Sequence, residues 1–180
     1  MSGESRPALF LDRDGVVNVE KNYVHRIDQF EFMDGIFELC NAFQNAGYAI
    51  VVVTNQAGIA RGYYTVQDME RLHAWMIERF AERGVVIAGV YHCPHHPEFS
   101  GPCECRKPKA GMILRARDEL GIDLTESVLL GDKESDLEAG RAAGIRHLAL
   151  LVDGPRGLER VRAGSGTNRS VKSWTEGILG

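Results

Sequence analysis

Residues 8–18 read ALFLDRDGVVN, an apolar run that ends directly in two acidic residues. The apolar run at residues 8–11 predicts a short strand that is covered on both faces of a sheet. Asp12 and Asp14 follow it two positions apart, and Gly15 permits a tight turn behind them. Side chains two residues apart on an extended chain point to the same side, so both carboxylates can face one divalent cation.

Strands and helices alternate along most of the chain, which predicts an α/β fold. Continuous apolar runs mark the strands, and apolar residues at helical spacing mark the helices between them. This order predicts a doubly wound, mostly parallel, Rossmann-like sheet with right-handed connections. The predicted strands are Ala8–Leu11, Tyr48–Val53, Val85–Tyr91, Ser127–Leu130 and His147–Val152. The first predicted helix is capped by Asp34 and ends at Gly47. The other predicted helices are at about Thr65–Arg83, Met112–Leu120 and Asp136–Ala143.

Four polar clusters follow strands or precede helices: DRDG (12–15), TNQAG (54–58), RKPK (106–109) and GDKESD (131–136). In open α/β sheets the carboxyl ends of the strands converge, and ligands bind there. Asp132 adds a third carboxylate, while Thr54 and Lys107 offer the hydroxyl and the cation that phosphoryl oxygens require. Each cluster alone is typical of a solvated turn or a helix cap. The four together, with no GxxxxGK[ST] loop, predict phosphoryl chemistry outside the P-loop class.

With these motifs in chain order, the sequence resembles phosphatases of the haloacid dehalogenase (HAD) superfamily over residues 8–152. The resemblance implies that Asp12 is the nucleophile and forms an aspartyl-phosphate intermediate. It implies that Asp14 is the general acid and base. Thr54 and Lys107 are then expected to hold and neutralise the transferring phosphoryl group.

The same resemblance implies a catalytic Mg²⁺. Its expected ligands are the Asp12 carboxylate, the Asp14 backbone carbonyl and Asp132, with Lys133 beside them. Val16 stands where Thr is common in this superfamily, which removes one hydroxyl contact but no essential group.

Cysteine and histidine crowd the segment CPHHPEFSGPCEC, residues 93–105. The expected zinc ligands are Cys93, His95, Cys103 and Cys105, the three-thiolate, one-imidazole set of structural zinc sites. Four protein ligands leave no open position, so zinc is expected to stabilise the loop at about residues 92–106. His92 and His96 are competing ligands, and unpaired loop thiols are the simpler alternative. Cys40 lies among apolar residues at helical spacing and is expected in the core.

The zinc-loop pattern narrows the resemblance to a HAD branch that lacks a cap domain and is related to histidinol phosphatases. The matching stretches are CPHHP, CxCRKP, DRDGVVN, TNQAGIARG and GDKESD. That branch implies a phosphoric monoester hydrolase that removes the C7 phosphate of a heptose 1,7-bisphosphate during synthesis of lipopolysaccharide core precursors. Histidinol phosphate is the alternative substrate. Phosphate transfer to a sugar and an inactive, zinc-organised interaction module are further alternatives.

Short loops are expected to border an open cleft, because the stretches 14–54 and 54–107 are too short to contain a cap domain. Arg106, Arg61 and Lys21 are candidates for holding a second phosphate of the substrate. The substrate contacts implied by the resemblance are Asp12, Arg13, Asp14, Glu20, Lys21, Asn22, Tyr23, Thr54, Asn55, Gln56, Ala57, Arg106 and Lys107.

The length and composition predict one domain, residues 1–180, which the resemblance implies is a HAD-like phosphatase domain. The weakly patterned stretch at 154–180 is expected to be a loose surface segment. The 180 residues include 21 Lys and Arg against 25 Asp and Glu, a formal net charge of −4. Nucleic-acid and anionic-membrane binders usually carry a basic excess, so neither partner is expected. The apolar run at 48–53 is too short to span a bilayer, and the N-terminal residues do not resemble a secretory leader. These features predict a cytoplasmic protein. The lack of a cap domain is compatible with a monomer, and the resemblance implies that the substrate is a small phosphorylated sugar.

Overall fold

Seven strands form one sheet in the described part of the chain, which is residues 3–164 and 166–180 of a computed structural model. They are β1 (Ala8–Leu11), β2 (Ala49–Asn55), β3 (Ile87–Cys93), β4 (Val128–Gly131), β5 (His147–Asp153), β6 (Arg160–Ala163) and β7 (Arg169–Ser170). Their order across the sheet is β3-β2-β1-β4-β5-β6-β7. All pairs from β3 to β5 are parallel, and β6 and β7 add antiparallel pairs at one edge.

Helices cover both faces of this sheet. They are α1 (Ile36–Asn45), α2 (Val66–Glu82), α3 (Pro97–Ser100), α4 (Gly111–Leu120), α5 (Glu134–Ala143) and α6 (Val171–Leu179), with 3-10 turns at Ile27–Gln29 and Leu124–Glu126. Along β1, Leu9 and Leu11 join a buried cluster with α1, α2 and α6, whereas Ala8 and Phe10 join a second cluster with α4 and α5. The predicted doubly wound α/β class is confirmed. None of the helices in the described residues is long and apolar enough to cross a membrane.

Helix starts show where the sequence pattern succeeds and where it fails. Thr65 caps α2, because its Oγ1 accepts the Asp68 N–H at 3.1 Å while Asp68 Oδ2 accepts the Thr65 N–H at 3.0 Å. The prediction that Asp34 caps α1 is wrong, since the N-cap is Gly35 with φ 90°. The Asp34 backbone N–H instead donates to the carbonyl of Arg156 at 2.8 Å. This pairing holds the chain extended before the turn that Gly35 makes.

The prediction of a loose segment beyond residue 153 is also wrong. β6 pairs with β5, β7 pairs with β6, and α6 packs back on the sheet. Trp174 of α6 is only 3% exposed, and its ring centroid lies 6.1 Å from that of Phe43 in α1. The sequence signal was weak because β6 alternates polar and apolar residues over only four positions.

The carboxyl ends of β2, β1 and β4 lie side by side at one edge of the sheet. The connection from β1 to α1 contains a single 3-10 turn, and the connection from β3 to α4 contains only the four-residue α3. Short loops therefore surround this edge, where the polar clusters meet.

Candidate active site

A buried lysine joins two carboxylates at the carboxyl edge of the sheet. Lys107 Nζ lies 2.9 Å from Asp12 Oδ1 and 2.6 Å from Asp136 Oδ1, and it donates to the Val53 carbonyl at 2.9 Å. Burial by itself lowers the pKa of Lys107, but Asp12 and Asp136 raise that pKa above its usual value. Lys107 is therefore a fixed cation beside Asp12.

Carboxylates outnumber cations in this cluster. Asp12, Asp132 and Asp136 each offer an oxygen, and these atoms lie within 4.8 Å of one another. Burial raises the pKa of Asp12 well above its usual value; Lys107 opposes this rise, and the carboxylates of Asp136 and Asp132 add to it. Within residues 3–164 and 166–180, Asp132 Oδ1 is buried without a hydrogen-bond partner. An oxygen-only donor set with excess negative charge and an unpartnered oxygen fits a hard divalent cation such as Mg²⁺.

Two glycines permit the close approach of these carboxylates. Gly15 has φ +92°, and a Cβ built on it would collide with the Asp132 carboxylate. A Cβ on Gly131, the last residue of β4, would likewise collide with the Asp136 side chain. Asp136 Oδ2 accepts the backbone N–H groups of Asp132 and Lys133 at 3.1 Å each. Asp136 thus holds both the backbone at the start of α5 and the ammonium group of Lys107.

Three donors orient Asp14. Its Oδ1 accepts from Arg13 Nη2 at 2.9 Å and from Asn18 Nδ2 at 3.0 Å, and its Oδ2 accepts from Gln56 Nε2 at 3.0 Å. The Tyr64 hydroxyl in turn donates to Gln56. Burial acts to raise the pKa of Asp14, but the Arg13 cation and the donated hydrogen bonds lower the pKa on balance. In this structure Asp14 is an oriented carboxylate.

The loop that carries Lys107 is tied to the end of β2. Asn55 Oδ1 accepts the Lys107 N–H at 3.0 Å, and Asn55 Nδ2 donates to the Lys107 carbonyl at 3.2 Å. The neighbouring Thr54 is fully buried, and its Oγ1 accepts from Gln56 Nε2 at 2.9 Å. The Lys107-Pro108 peptide bond is cis. These contacts bring two sequence-distant motifs to one point.

The loop after β3 gathers four metal-ligand side chains. They are Cys93, His95, Cys103 and Cys105, whose ligand atoms lie within 4.8 Å of one another. Cys93 Sγ lies 3.0 Å from Cys105 Sγ and 3.6 Å from Cys103 Sγ. His96 is outside this cluster and caps α3, and His92 is outside it as well. Three thiols and one imidazole at this separation fit a closed tetrahedral zinc site.

A cleft of about 630 Å³ opens over Asp12. Asn22 and Tyr23 form part of its wall and have φ values of 58° and 57°, a left-handed conformation that costs non-glycine residues about 1–3 kcal/mol each. Glu20 Oε1 accepts the Asn22 N–H at 2.7 Å and supports this turn. The cleft is lined by Asp12, Asp14, Glu20, Asn22, Tyr23, Asn55, Gln56, Ala57, Tyr64, Arg106, Lys107, Pro108, Lys133, Ser135 and Asp136.

Several known proteins are similar in sequence to most of this chain. A family described as HAD-hydrolase-like matches residues 104–163. The D-glycero-beta-D-manno-heptose-1,7-bisphosphate 7-phosphatase of Yersinia pestis is 49% identical over 156 residues, 84% of this chain and 83% of the relative. The D-glycero-alpha-D-manno-heptose-1,7-bisphosphate 7-phosphatase of Campylobacter jejuni is 51% identical over 144 residues, 80% of this chain and 81% of the relative. This chain belongs to the heptose-1,7-bisphosphate 7-phosphatase family.

Solved structures agree with this family assignment. A putative HAD-like phosphatase from Mesorhizobium loti has a TM-score of 0.81 and 34% identity, covering 98% of this chain and 86% of that one. The D,D-heptose 1,7-bisphosphate phosphatase of B. bronchiseptica, complexed with magnesium and phosphate, has a TM-score of 0.79 and 27% identity, covering 96% and 98%. The predicted HAD resemblance and the predicted class, a phosphoric monoester hydrolase, are confirmed.

Most residues that the family resemblance implied as substrate contacts line the cleft, but three do not. Arg13 is fully buried beneath it, and Thr54 is fully buried as well. Lys21 forms an ion pair with Glu31 at 2.9 Å. Of the predicted magnesium residues, Asp132 lines a neighbouring cavity, whereas Lys133 lines the cleft.

The candidates for a second phosphate of the substrate are likewise separated. Arg106 lines the cleft, whereas the Arg61 guanidinium lies over the Phe99 ring, 4.7 Å from its centroid. Lys21 is held by its ion pair with Glu31. Arg106 is therefore the member of the three best placed to meet a substrate in the cleft.

Asp136 is the main site residue that was not predicted from the sequence. It stands four positions after Asp132 in GDKESD, which places both carboxylates at the start of one helix. From its pattern alone, Asp136 was predicted to be the first residue of that helix, where acidic residues are common. Asn18, which donates to Asp14, ends the DRDGVVN stretch but was given no role of its own. Tyr64, which donates to Gln56, lies outside every motif that was singled out.

Proposed function

We propose that this chain hydrolyses the C7 phosphate of a D-glycero-D-manno-heptose 1,7-bisphosphate to give heptose 1-phosphate, in the synthesis of activated heptose for lipopolysaccharide core precursors. The observation that carries the proposal is the similarity to the Y. pestis and C. jejuni phosphatases: about half of the aligned residues are identical, and the alignments cover at least four fifths of each chain. The buried cluster of Asp12, Lys107 and Asp136 at the floor of the cleft supports it.

The proposed reaction has two displacement steps at phosphorus. An Asp12 carboxylate oxygen attacks the phosphorus atom, the bond from phosphorus to the C7 oxygen breaks, and Asp14 gives that oxygen a proton. Water then attacks the aspartyl-phosphate while Asp14 takes its proton, which restores both side chains and releases inorganic phosphate. Lys107 and Thr54 would balance and hold the phosphoryl oxygens during both steps.

Asp14 needs a change of partner to act as the acid. Its carboxylate is occupied by Arg13, Asn18 and Gln56, and its pKa is lowered. A dianionic phosphoryl group brought beside Asp14 raises that pKa, because like charges disfavour a second anion. The leaving oxygen of the substrate would then replace one of the three donors.

Two metals have separate tasks in this proposal. Mg²⁺ would be held by Asp12, Asp132 and the Asp14 backbone carbonyl, with Lys133 and Asp136 beside them. When bound, Mg²⁺ neutralises charge on the transferring phosphoryl group. Zinc would be held by the cluster in the loop after β3 and would stabilise the approach to Arg106 and Lys107.

Substrate binding is proposed to use the short loops around the cleft. The loop at residues 20–23 and the stretch at 54–57 would contact the sugar, and Arg106 would hold the second phosphate. We further propose that residues 1–180 act as one domain, as a cytoplasmic monomer without nucleic-acid or membrane partners. Light scattering of the purified protein tests the monomer, and a dimer mass contradicts it.

The test is phosphate release with Mg²⁺ from the α and β anomers of heptose 1,7-bisphosphate and from histidinol phosphate. Because relatives named for each anomer are similar to this chain, both anomers are required. We expect one anomer to be preferred, with activity lost in a chelator and in Asp12→Asn but kept in Asp118→Asn, an exposed aspartate of α4. Preference for histidinol phosphate, or no activity on any of the three, contradicts the proposal.

A further inference from the structure

Arg13 is a fully buried arginine that lies between Asp12 and Asp14 in the sequence. Its Nη2 donates to Asp14 Oδ1 at 2.9 Å and to the Val24 carbonyl at 2.6 Å, and its Nη1 lies 3.0 Å from His73 Nε2. Charged side chains are almost never buried this deeply without partners. Here the partners come from three separate parts of the chain, namely the catalytic turn, the end of the 20–23 loop and helix α2.

His73 is the acceptor in this arrangement. It is 6% exposed, and burial together with the Arg13 cation lowers its pKa to about 3. The imidazole is therefore neutral at ordinary pH. Since Arg13 Nη1 can only donate, His73 Nε2 must be the unprotonated ring nitrogen, with the proton on Nδ1.

The planar guanidinium makes this contact directional. Its donors have fixed angles to one another, so the group that accepts from Nη1 also sets where Nη2 points. Nη2 points at Asp14 and at the Val24 carbonyl, which directly follows the wall of the cleft at residues 20–23. His73 thus lies behind both the proposed acid and a substrate loop, although it does not line the cleft.

We propose that His73 and Arg13 are positioning residues that hold the Asp14 carboxylate in place for proton transfer to the leaving oxygen. The inference rests on the proposed aspartyl-phosphate mechanism and goes beyond it, because neither side chain touches the reacting atoms. It has a chemical consequence. An alkyl leaving group such as a sugar oxygen needs a proton as its bond to phosphorus breaks, whereas a nitrophenolate leaves as a stable anion without one.

The test measures kcat/KM for an alkyl phosphate and for p-nitrophenyl phosphate. For each ester, kcat/KM reports on the steps up to and including the departure of the leaving group. In His73→Leu, which removes the acceptor, we expect kcat/KM to fall at least about tenfold for the alkyl ester and by less than about threefold for the aryl ester. His73→Gln keeps an acceptor and should restore most of the alkyl activity. Met76→Leu, a buried change on the same helix, should leave the ratio of the two esters unchanged.

Equal losses on both esters, no loss on either, or no rescue by glutamine would overturn the proposal. If His73→Leu does not fold, Arg13→Lys takes its place, since lysine keeps the charge but not the planar fork. The alkyl ester is heptose 1,7-bisphosphate where the wild type cleaves it and glycerol phosphate where it does not, so failure of the substrate assignment leaves this test intact. A wild type that cleaves aryl but no alkyl phosphate also overturns the role of His73.

Discussion

At the residue scale, Lys107 shows how the stability of the fold and the proposed catalysis depend on the same side chains. Its ammonium group lies between Asp12 and Asp136 with almost no exposure. Removing one partner from a buried ion pair typically destabilises a protein by about 3–5 kcal/mol, because the other charge is left uncompensated. Substitutions that keep the side-chain shape are therefore needed to separate a chemical role from a structural one.

Asp136→Asn is such a substitution. The amide keeps one oxygen for the backbone N–H groups of Asp132 and Lys133, but it loses the charge that faces Lys107. Loss of a supporting group of a metal site typically lowers metal affinity or activity about 10–100-fold. We therefore expect kcat/KM to fall, or the Mg²⁺ concentration for half activity to rise, by about that factor. Glu138→Gln, an exposed acid on the same helix, is the control and should behave like the wild type. Wild-type kinetics in Asp136→Asn would remove Asp136 from the site.

At the element scale, the turn after β1 is shaped by the approach of a second element. Gly15 has a positive φ of +92°, and the Asp132 carboxylate from the end of β4 fills the space of a Cβ. The turn and the β4 end thus fit together only with glycine. This contact brings Asp132 close to Asp12, so that the two carboxylates could hold the proposed Mg²⁺ together.

Gly15→Ala should therefore weaken the metal site more than it weakens the fold. The backbone conformation alone costs a non-glycine residue about 1–2 kcal/mol, and displacement of Asp132 adds an effect on Mg²⁺ binding. Gly47→Ala isolates the backbone effect, because Gly47 has φ +94° and no atom within 4 Å of its Cβ position. Titration of activity with Mg²⁺ should show a shift of about tenfold or more in Gly15→Ala and none in Gly47→Ala. Equal Mg²⁺ curves for the two variants would disprove the packing argument.

The loop after β3 is the second element for which we propose a bound metal, since Cys93, His95, Cys103 and Cys105 could hold zinc there. Cys103→Ser should remove bound zinc, measured by elemental analysis, and reduce activity, because the loop leads directly into Arg106 and Lys107. Cys40→Ala changes a buried thiol of α1 outside the loop and should keep the zinc. Full zinc content in Cys103→Ser would mean that another group, such as His92 or His96, completes the set.

The sequence pattern predicted the parallel core and the carboxyl-edge clusters because both depend on local runs of residues. The five parallel strands are four to seven residues long and mostly apolar, and DRDG, TNQAG, RKPK and GDKESD each lie within a few positions. The contacts of Arg13 with His73, and of Asp34 with Arg156, join residues 60 and more than 100 positions apart. Such pairs have no periodic signal, so they could be found only from the folded chain.

At the scale of the whole molecule, the C-terminal segment completes the core on one side of the sheet. β6 and β7 extend the sheet beyond β5, and α6 brings Val171 and Trp174 into the same buried cluster as Leu9 and Phe43. The cleft is lined by none of the residues of α6, which lie in a different region of the fold. Substitutions in α6 should therefore lower the stability of the fold without changing the activity, whereas substitutions at Lys107 should affect both.

Trp174→Ala tests this separation. Truncating a buried tryptophan typically destabilises a protein by about 3–5 kcal/mol, through lost apolar burial and the cavity that remains. We expect a loss of that size in the free energy of unfolding, measured by denaturant titration, with kcat per folded molecule unchanged. Lys172→Ala, an exposed change on the same helix, should change the free energy of unfolding by no more than about 0.5 kcal/mol and leave kcat unchanged. If Trp174→Ala unfolds at the wild-type denaturant concentration, α6 is not part of the cooperative core, and the segment beyond residue 153 is an independent surface element after all.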